Sequence, residues 1–137
     1  KHLEKKRKSR LDGVPLKLPA LIRSQRLQQK ASEVGFDWDN IDSVWDKVYE
    51  ELKELKSACK KRNQKKIQEE LGDVFFSVVN LSRHLNISAE NTLRKGNKKF
   101  IERFKTIEKN VKKKGLNIEN LTLKEMDNIW DQLKLKE

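Results

Sequence analysis

Two short acidic runs carry most of the chemistry this sequence can offer. One is Glu50-Glu51-Leu52-Lys53-Glu54 and the other is Glu69-Glu70-Leu71-Gly72-Asp73. On an α-helix, side chains three apart lie on one face, so Glu51 points with Glu54 and Glu70 with Asp73. Four converging carboxylates repel and raise one another's proton affinity unless a cation lies between them. Hard oxygen donors without His or Cys favour Mg²⁺, Mn²⁺ or Ca²⁺. Leu71, Val74 and Phe75 surround the second pair, which sets a carboxylate near a core edge, where an unpaired charge is costly. The same spacing also suits an ordinary charged helix surface, because Glu is a good helix former. A di-iron centre is disfavoured: it needs Glu-x-x-His pairs, and neither His2 nor His84 follows a Glu at that spacing.

A second group of residues suits an anion. Lys99 and Arg103 are four apart on one helical face, beside the apolar stripe of Phe100 and Phe104. Arg grips a phosphate with a fork and Lys as a point charge. A solvated basic face explains the same pair. Trp130 and Lys134 are also four apart. The indole can stack on a base or anchor a terminal helix.

These residues need helices to position them. Pro19 is suited to the first position of a helix ending before Gly35. Phe36-Asp37-Trp38 then forms a connector. Asp39 or Asp42 can cap a second helix, whose apolar face comprises Val44, Trp45, Val48, Leu52, Leu55 and Ala58 and which ends near Lys60–Asn63. A third helix, the most apolar, spans about 64–85 and is central. Gly72 inside it suggests close approach of another helix or of a ligand. Ser88 caps a fourth helix running to Gly115, with Lys112–Lys114 near its end where cations suit the dipole. Thr122 and Glu125 form a capping box opening a fifth helix through Trp130 to Leu133. No segment alternates with a two-residue period. The fold class is all-α, a four- to five-helix bundle with one core. The polar turn between the second and third helices makes them antiparallel neighbours, which brings the two acidic pairs to a similar height.

Composition bounds the rest. The chain has 137 residues, one domain's worth, with 32 Lys and Arg against 21 Asp and Glu, a formal charge of +11. Residues 1–12 form a basic linker or tail and 13–137 the folded domain; six Lys or Arg and one Glu fall within the first ten positions. No apolar run approaches a membrane span. Cys59, the single cysteine, excludes an internal disulfide and fits a reducing, cytoplasmic setting. Such a charge makes nucleic acid the first candidate partner. Against it, the cations do not segregate onto one recognition helix and there is no helix-turn-helix pattern.

Several motifs in order resemble one family. Gly13-Val14-Pro15, Leu18-Pro19-Ala20-Leu21, Val34-Gly35-Phe36-Asp37-Trp38 and Lys47-Val48-Tyr49-Glu50-Glu51 are similar to the MazG-type nucleoside triphosphate pyrophosphohydrolases. So are Gly72-Asp73-Val74-Phe75-Phe76, Val79-Asn80-Leu81-x-Arg83-His84, Asn97-x-Lys99-Phe100-x-x-Arg103-Phe104 and Trp130. The resemblance covers nearly everything after Leu11 and points to the C-terminal, catalytic half of such proteins. It implies an all-α homodimer that converts a nucleoside triphosphate and water into the monophosphate and pyrophosphate with broad base tolerance. It further implies Mg²⁺, with Mn²⁺ as a substitute, held by Glu51, Glu54, Glu70 and Asp73, with Glu50 in support. Lys47, Asn97, Lys99, Arg103, Trp130 and Lys134 would engage the nucleotide. An upstream MazG-like half would complete the full-length chain, and residues 1–12 would be its linker. The competing readings are a basic helical module for nucleic acid or protein and a house-cleaning pyrophosphatase for modified nucleotides.

Overall fold

The computed structural model describes residues 7–136, and these contain five α-helices and no strand. They are α1 (Ala20–Ser32), α2 (Ile41–Lys60), α3 (Gln64–His84), α4 (Ala89–Lys113) and α5 (Leu123–Leu135). Two 3₁₀ turns, Arg10–Gly13 and Ile118–Asn120, precede α1 and α5. No helix among the described residues is long and apolar enough to cross a membrane. The basic run of residues 1–6 lies outside the described residues. Within the remainder of the expected 1–12 tail, Ser9 and Asp12 form a capping box around the first 3₁₀ turn.

Local chemistry sets the helix limits. Pro19 occupies the N-cap of α1 rather than its first turn, with extended ψ, and Ala20 is the first helical residue. The chain turns out of α1 through Gly35 at φ 88°, where the Phe36 amide bonds back to the Ala31 carbonyl. The cap of α2 is Asn40, not Asp39 or Asp42; its Oδ1 accepts from the Ser43 amide at 2.9 Å. Asn63 caps α3 in the same way. Ser88 Oγ accepts from the Asn91 amide at the start of α4, and Gly115 at φ 71° ends that helix. Only a residue tolerant of the left-handed region makes such a stop without strain. Thr122 and Glu125 form the expected capping box of α5.

Packing divides the residues into two units, one ending at Thr92 and one beginning at Leu93, so the boundary falls within α4. In the second unit Ile107 and Val111 are buried.

In the first unit α2 and α3 form the principal antiparallel pair, and α3 also packs on α1. Val44, Val48 and Leu81 form the centre of the seam, with Val44 only 1% exposed. Gln28 ties α1 to α3 by donating from Nε2 to the Phe76 carbonyl at 2.9 Å. Gln25 braces the α3–α4 turn, donating to the Ile87 carbonyl and accepting from the Ala89 amide. The α2 apolar face expected from the sequence splits in two. Val44, Val48 and Ala58 are buried, whereas Trp45 and Leu52 are exposed together with Tyr49. On α3, Leu71, Phe75 and Val78 are likewise exposed. Gly72 faces open space, with no atom within 4 Å of an added Cβ, so close helix packing is not its role within this chain.

The connector before α2 is clamped to the end of α3. Asp37 receives two bonds from the Arg83 guanidinium, Nη1 to Oδ2 at 3.0 Å and Nη2 to Oδ1 at 2.6 Å. His84 Nε2 lies 2.9 Å from Oδ1, and Asn80 Oδ1 accepts from Arg83 as well. The fork of Arg83 holds the Asp37 carboxyl at a pKa of about 2, with His84 adding to the effect. His84 is therefore a packed histidine, engaged with Asp37.

Candidate functional site

The acidic cluster grows out of the α2–α3 seam. The stripe Val44, Val48, Glu51, Leu55, Ala58 repeats at three and four, and so does Ile67, Glu70, Val74, Ser77, Leu81. Glu51 and Glu70 thus interrupt two apolar seams at facing heights. Each is only 6% exposed. Asp73, one turn beyond Glu70, is exposed, and Glu51, Glu70 and Asp73 each offer an oxygen within 4.8 Å of the others.

Glu54 stands beside this trio on the solvent side. Its proton affinity is raised, chiefly by the neighbouring Glu51 carboxylate, then by partial loss of solvent, with the Glu70 carboxylate adding to the effect. The repulsion expected of converging carboxylates is thus present in the folded chain.

Two lysines flank the cluster. Lys47 Nζ lies 3.0 Å from Glu51 Oε1 and 3.6 Å from Glu50 Oε2. Lys66 Nζ lies 3.2 Å from Glu70 Oε1 and 3.7 Å from Glu69 Oε2. Lys66 is absent from the residues singled out in the sequence, although it precedes Glu70 by four, the same spacing that pairs Lys47 with Glu51. The second oxygen of each buried glutamate, Oε2, is enclosed and accepts no hydrogen bond among the described residues. A buried carboxylate oxygen without a donor is costly and calls for a cation. The donor set, all carboxylate oxygen with no imidazole or thiolate, fits a hard divalent ion.

The remaining sequence-predicted residues lie in the second unit. Asn97, Lys99 and Lys134 are exposed on α4 and α5. Arg103 and Trp130 meet: the guanidinium carbon sits 5.0 Å from the indole centroid, within cation–π range. Phe100 packs obliquely on Trp130 at 5.6 Å and stacks with Phe104 at 6.2 Å. These rings line a cavity of about 320 Å³ whose wall includes Met126 and one charged side chain, Asp127.

Known proteins share this pattern. The model of the MazG nucleotide pyrophosphohydrolase domain matches residues 40–108, a span holding all four carboxylates and both flanking lysines. The nucleoside triphosphate pyrophosphohydrolase/pyrophosphatase MazG of Thermotoga maritima is 45% identical over 130 residues, covering 95% of this chain and 50% of that protein. A nucleoside triphosphate pyrophosphohydrolase of Escherichia coli K12 is 42% identical over 136 residues, covering 98% of this chain and 52% of the relative. The chain thus spans about half the length of these two curated relatives. With the acidic motifs, the helical frame and the matched domain in agreement, this chain belongs to the MazG nucleotide pyrophosphohydrolase family.

Proposed function

We propose that this chain hydrolyses nucleoside triphosphates to the monophosphate and pyrophosphate, with Mg²⁺ or Mn²⁺ held by Glu51, Glu54, Glu70 and Asp73. The observation that carries this reading is the pair of enclosed, donor-less Oε2 atoms of Glu51 and Glu70 beside Asp73, inside the matched family domain. A divalent cation, when bound, supplies charge neutralisation for the polyphosphate and lowers the proton affinity of nearby water. The chain's own groups do the rest. Glu51 and Glu70 present fixed oxygens from the seam. Glu54, the solvent-facing member, orients the attacking water. Glu50 restrains Lys47 through the 3.6 Å contact. By matching position in the family pattern, Lys47, Asn97, Lys99 and Arg103 engage the phosphates or sugar, and Trp130 and Lys134 contact the rest of the nucleotide. Stacking on an indole tolerates every base, which supports broad base tolerance. Monophosphate and pyrophosphate as products mean that the α–β anhydride bond breaks, as attack of water at the α-phosphorus would do.

The active form is a homodimer in this reading. One residue advances a helix by about 100°. Stepping once beyond the facing pair Glu51 and Glu70 therefore turns both antiparallel helices toward the same side. There Trp45, Tyr49 and Leu52 of α2 lie alongside Leu71, Phe75 and Val78 of α3, all exposed, with Phe75 at 60%. Such a joint apolar face suits a second copy. A reducing cytoplasm, nucleotide substrate and an upstream MazG-like half in the whole protein complete the proposal.

The test is pyrophosphate release from a panel of canonical and damaged triphosphates, with and without Mg²⁺. Glu54→Gln and Asp73→Asn are expected to abolish it while the far-ultraviolet spectrum is kept. Normal turnover by both variants would sink the metal-site reading. Preference for one damaged triphosphate would replace broad tolerance with a house-cleaning role. Sedimentation velocity checks the dimer, and a monomer at all concentrations refutes it.

A further inference from the structure

We propose that Lys47 and Lys66 are built-in countercharges of the acidic cluster, holding it folded without metal and setting its affinity for a divalent cation low. This rests on the metal reading above and adds a role that precedes nucleotide binding.

The two helices use one device twice. Each lysine lies four residues before its glutamate, and the contacts are nearly equal, 3.0 Å to Glu51 Oε1 and 3.2 Å to Glu70 Oε1. Each also reaches the preceding, exposed glutamate, at 3.6 Å and 3.7 Å. A buried carboxylate without a partner is destabilising. The lysines offset that cost on the Oε1 atoms alone and leave both Oε2 atoms without a donor. Glu51, Glu54, Glu70 and Asp73, with Glu50 and Glu69 at the rim, set six carboxylates against two ammonium groups and leave the cluster net negative, a charge that a divalent ion reduces. The ammonium groups sit next to that position, and a like charge there weakens cation binding.

The sign of this effect separates it from a purely structural role. Removing a lysine that only orients its glutamate leaves metal binding unchanged or weaker. Removing a countercharge strengthens it and makes the fold more dependent on metal. The experiment measures Mn²⁺ binding to the nucleotide-free chain by electron paramagnetic resonance, and thermal midpoints in EDTA and in MnCl₂. Lys47→Met and Lys66→Met are made singly, so that each retains the other cation, and Lys66→Arg keeps the charge.

Each Met variant is expected to bind Mn²⁺ about ten-fold more tightly than wild type, from one unit charge removed at roughly 5 Å. Its midpoint in EDTA falls by roughly 3–6 °C, Mn²⁺ restores more of it than it adds to wild type, and Lys66→Arg behaves as wild type. Unchanged or weaker Mn²⁺ binding in both Met variants, while Glu70→Gln loses it, overturns the countercharge role and leaves the metal site standing. No Mn²⁺ binding by wild type overturns both.

Discussion

Replacing Asp37 with Asn tests the clamp that fixes the two acid-bearing helices against each other. Asp37 sits in the connector leading into α2, and its partners Arg83 and His84 lie at the end of α3. Its carboxyl is lowered from the ordinary 3.8 to about 2, first by the Arg83 bond, with burial acting in opposition and His84 assisting. At about 1.4 kcal/mol per pH unit, that difference amounts to about 2 kcal/mol of folding stability. The sign follows from linkage. A carboxylate with a lowered folded pKa stabilises the fold fully above its unfolded value, near 3.8. The contribution is lost as pH falls through about 2. The side-chain amide of the Asp37→Asn variant keeps an acceptor for Arg83 but carries no charge to titrate. Urea unfolding of wild type and Asp37→Asn should therefore differ by about 2 kcal/mol at pH 5 and above. The gap should be roughly half closed near pH 3 and should vanish below pH 2. An equal gap at pH 5 and pH 2 would refute the argument, because the loss would then come from packing and not from the charged fork.

Three further outcomes check other parts of the structure. Val44→Ala opens the centre of the α2–α3 seam and should cost about 2 kcal/mol in urea unfolding; a loss under 0.5 kcal/mol would contradict its near-complete burial. Thr122→Ala removes the hydroxyl that caps α5 and bonds the Glu125 carboxylate, and leaves the backbone amide bond that does most to lower that carboxyl; amide exchange over α5 should speed by about five-fold, for a cap worth ~1 kcal/mol, with the α2–α3 seam unaffected. Trp130→Ala should raise the nucleotide KM while leaving nucleotide-free Mn²⁺ binding unchanged; an unchanged KM would remove Trp130 from the substrate site.

Much of this site is legible in the residues themselves. Three-residue spacing pairs Glu51 with Glu54 and Glu70 with Asp73, and the apolar repeats on either side of Glu51 and Glu70 already mark those two as interrupting a buried seam. The helix stops at Gly35 and Gly115 and the box of Thr122 and Glu125 are equally local, because backbone conformation and capping depend on a few neighbouring positions. Lys66 could have been found by the spacing that pairs Lys47 with Glu51. The apolar faces are harder to read: Trp45, Leu52, Leu71 and Phe75 fit a buried helical period, yet they point one step away from the seam and are exposed.

What the sequence determined, then, is the set of helices and the acids each one presents, since periodicity and caps act within a few turns. Tertiary structure decided which acids are enclosed together and what holds them. The rotation of α2 and α3 in their seam puts Glu51 and Glu70 inside and leaves Glu54 and Asp73 exposed. It strips Oε2 of a donor while Lys47 and Lys66 keep Oε1. The Asp37–Arg83–His84 clamp joins positions 46 and 47 residues apart. No local spacing encodes such contacts, because they arise only when apolar side chains far apart in the chain share one seam.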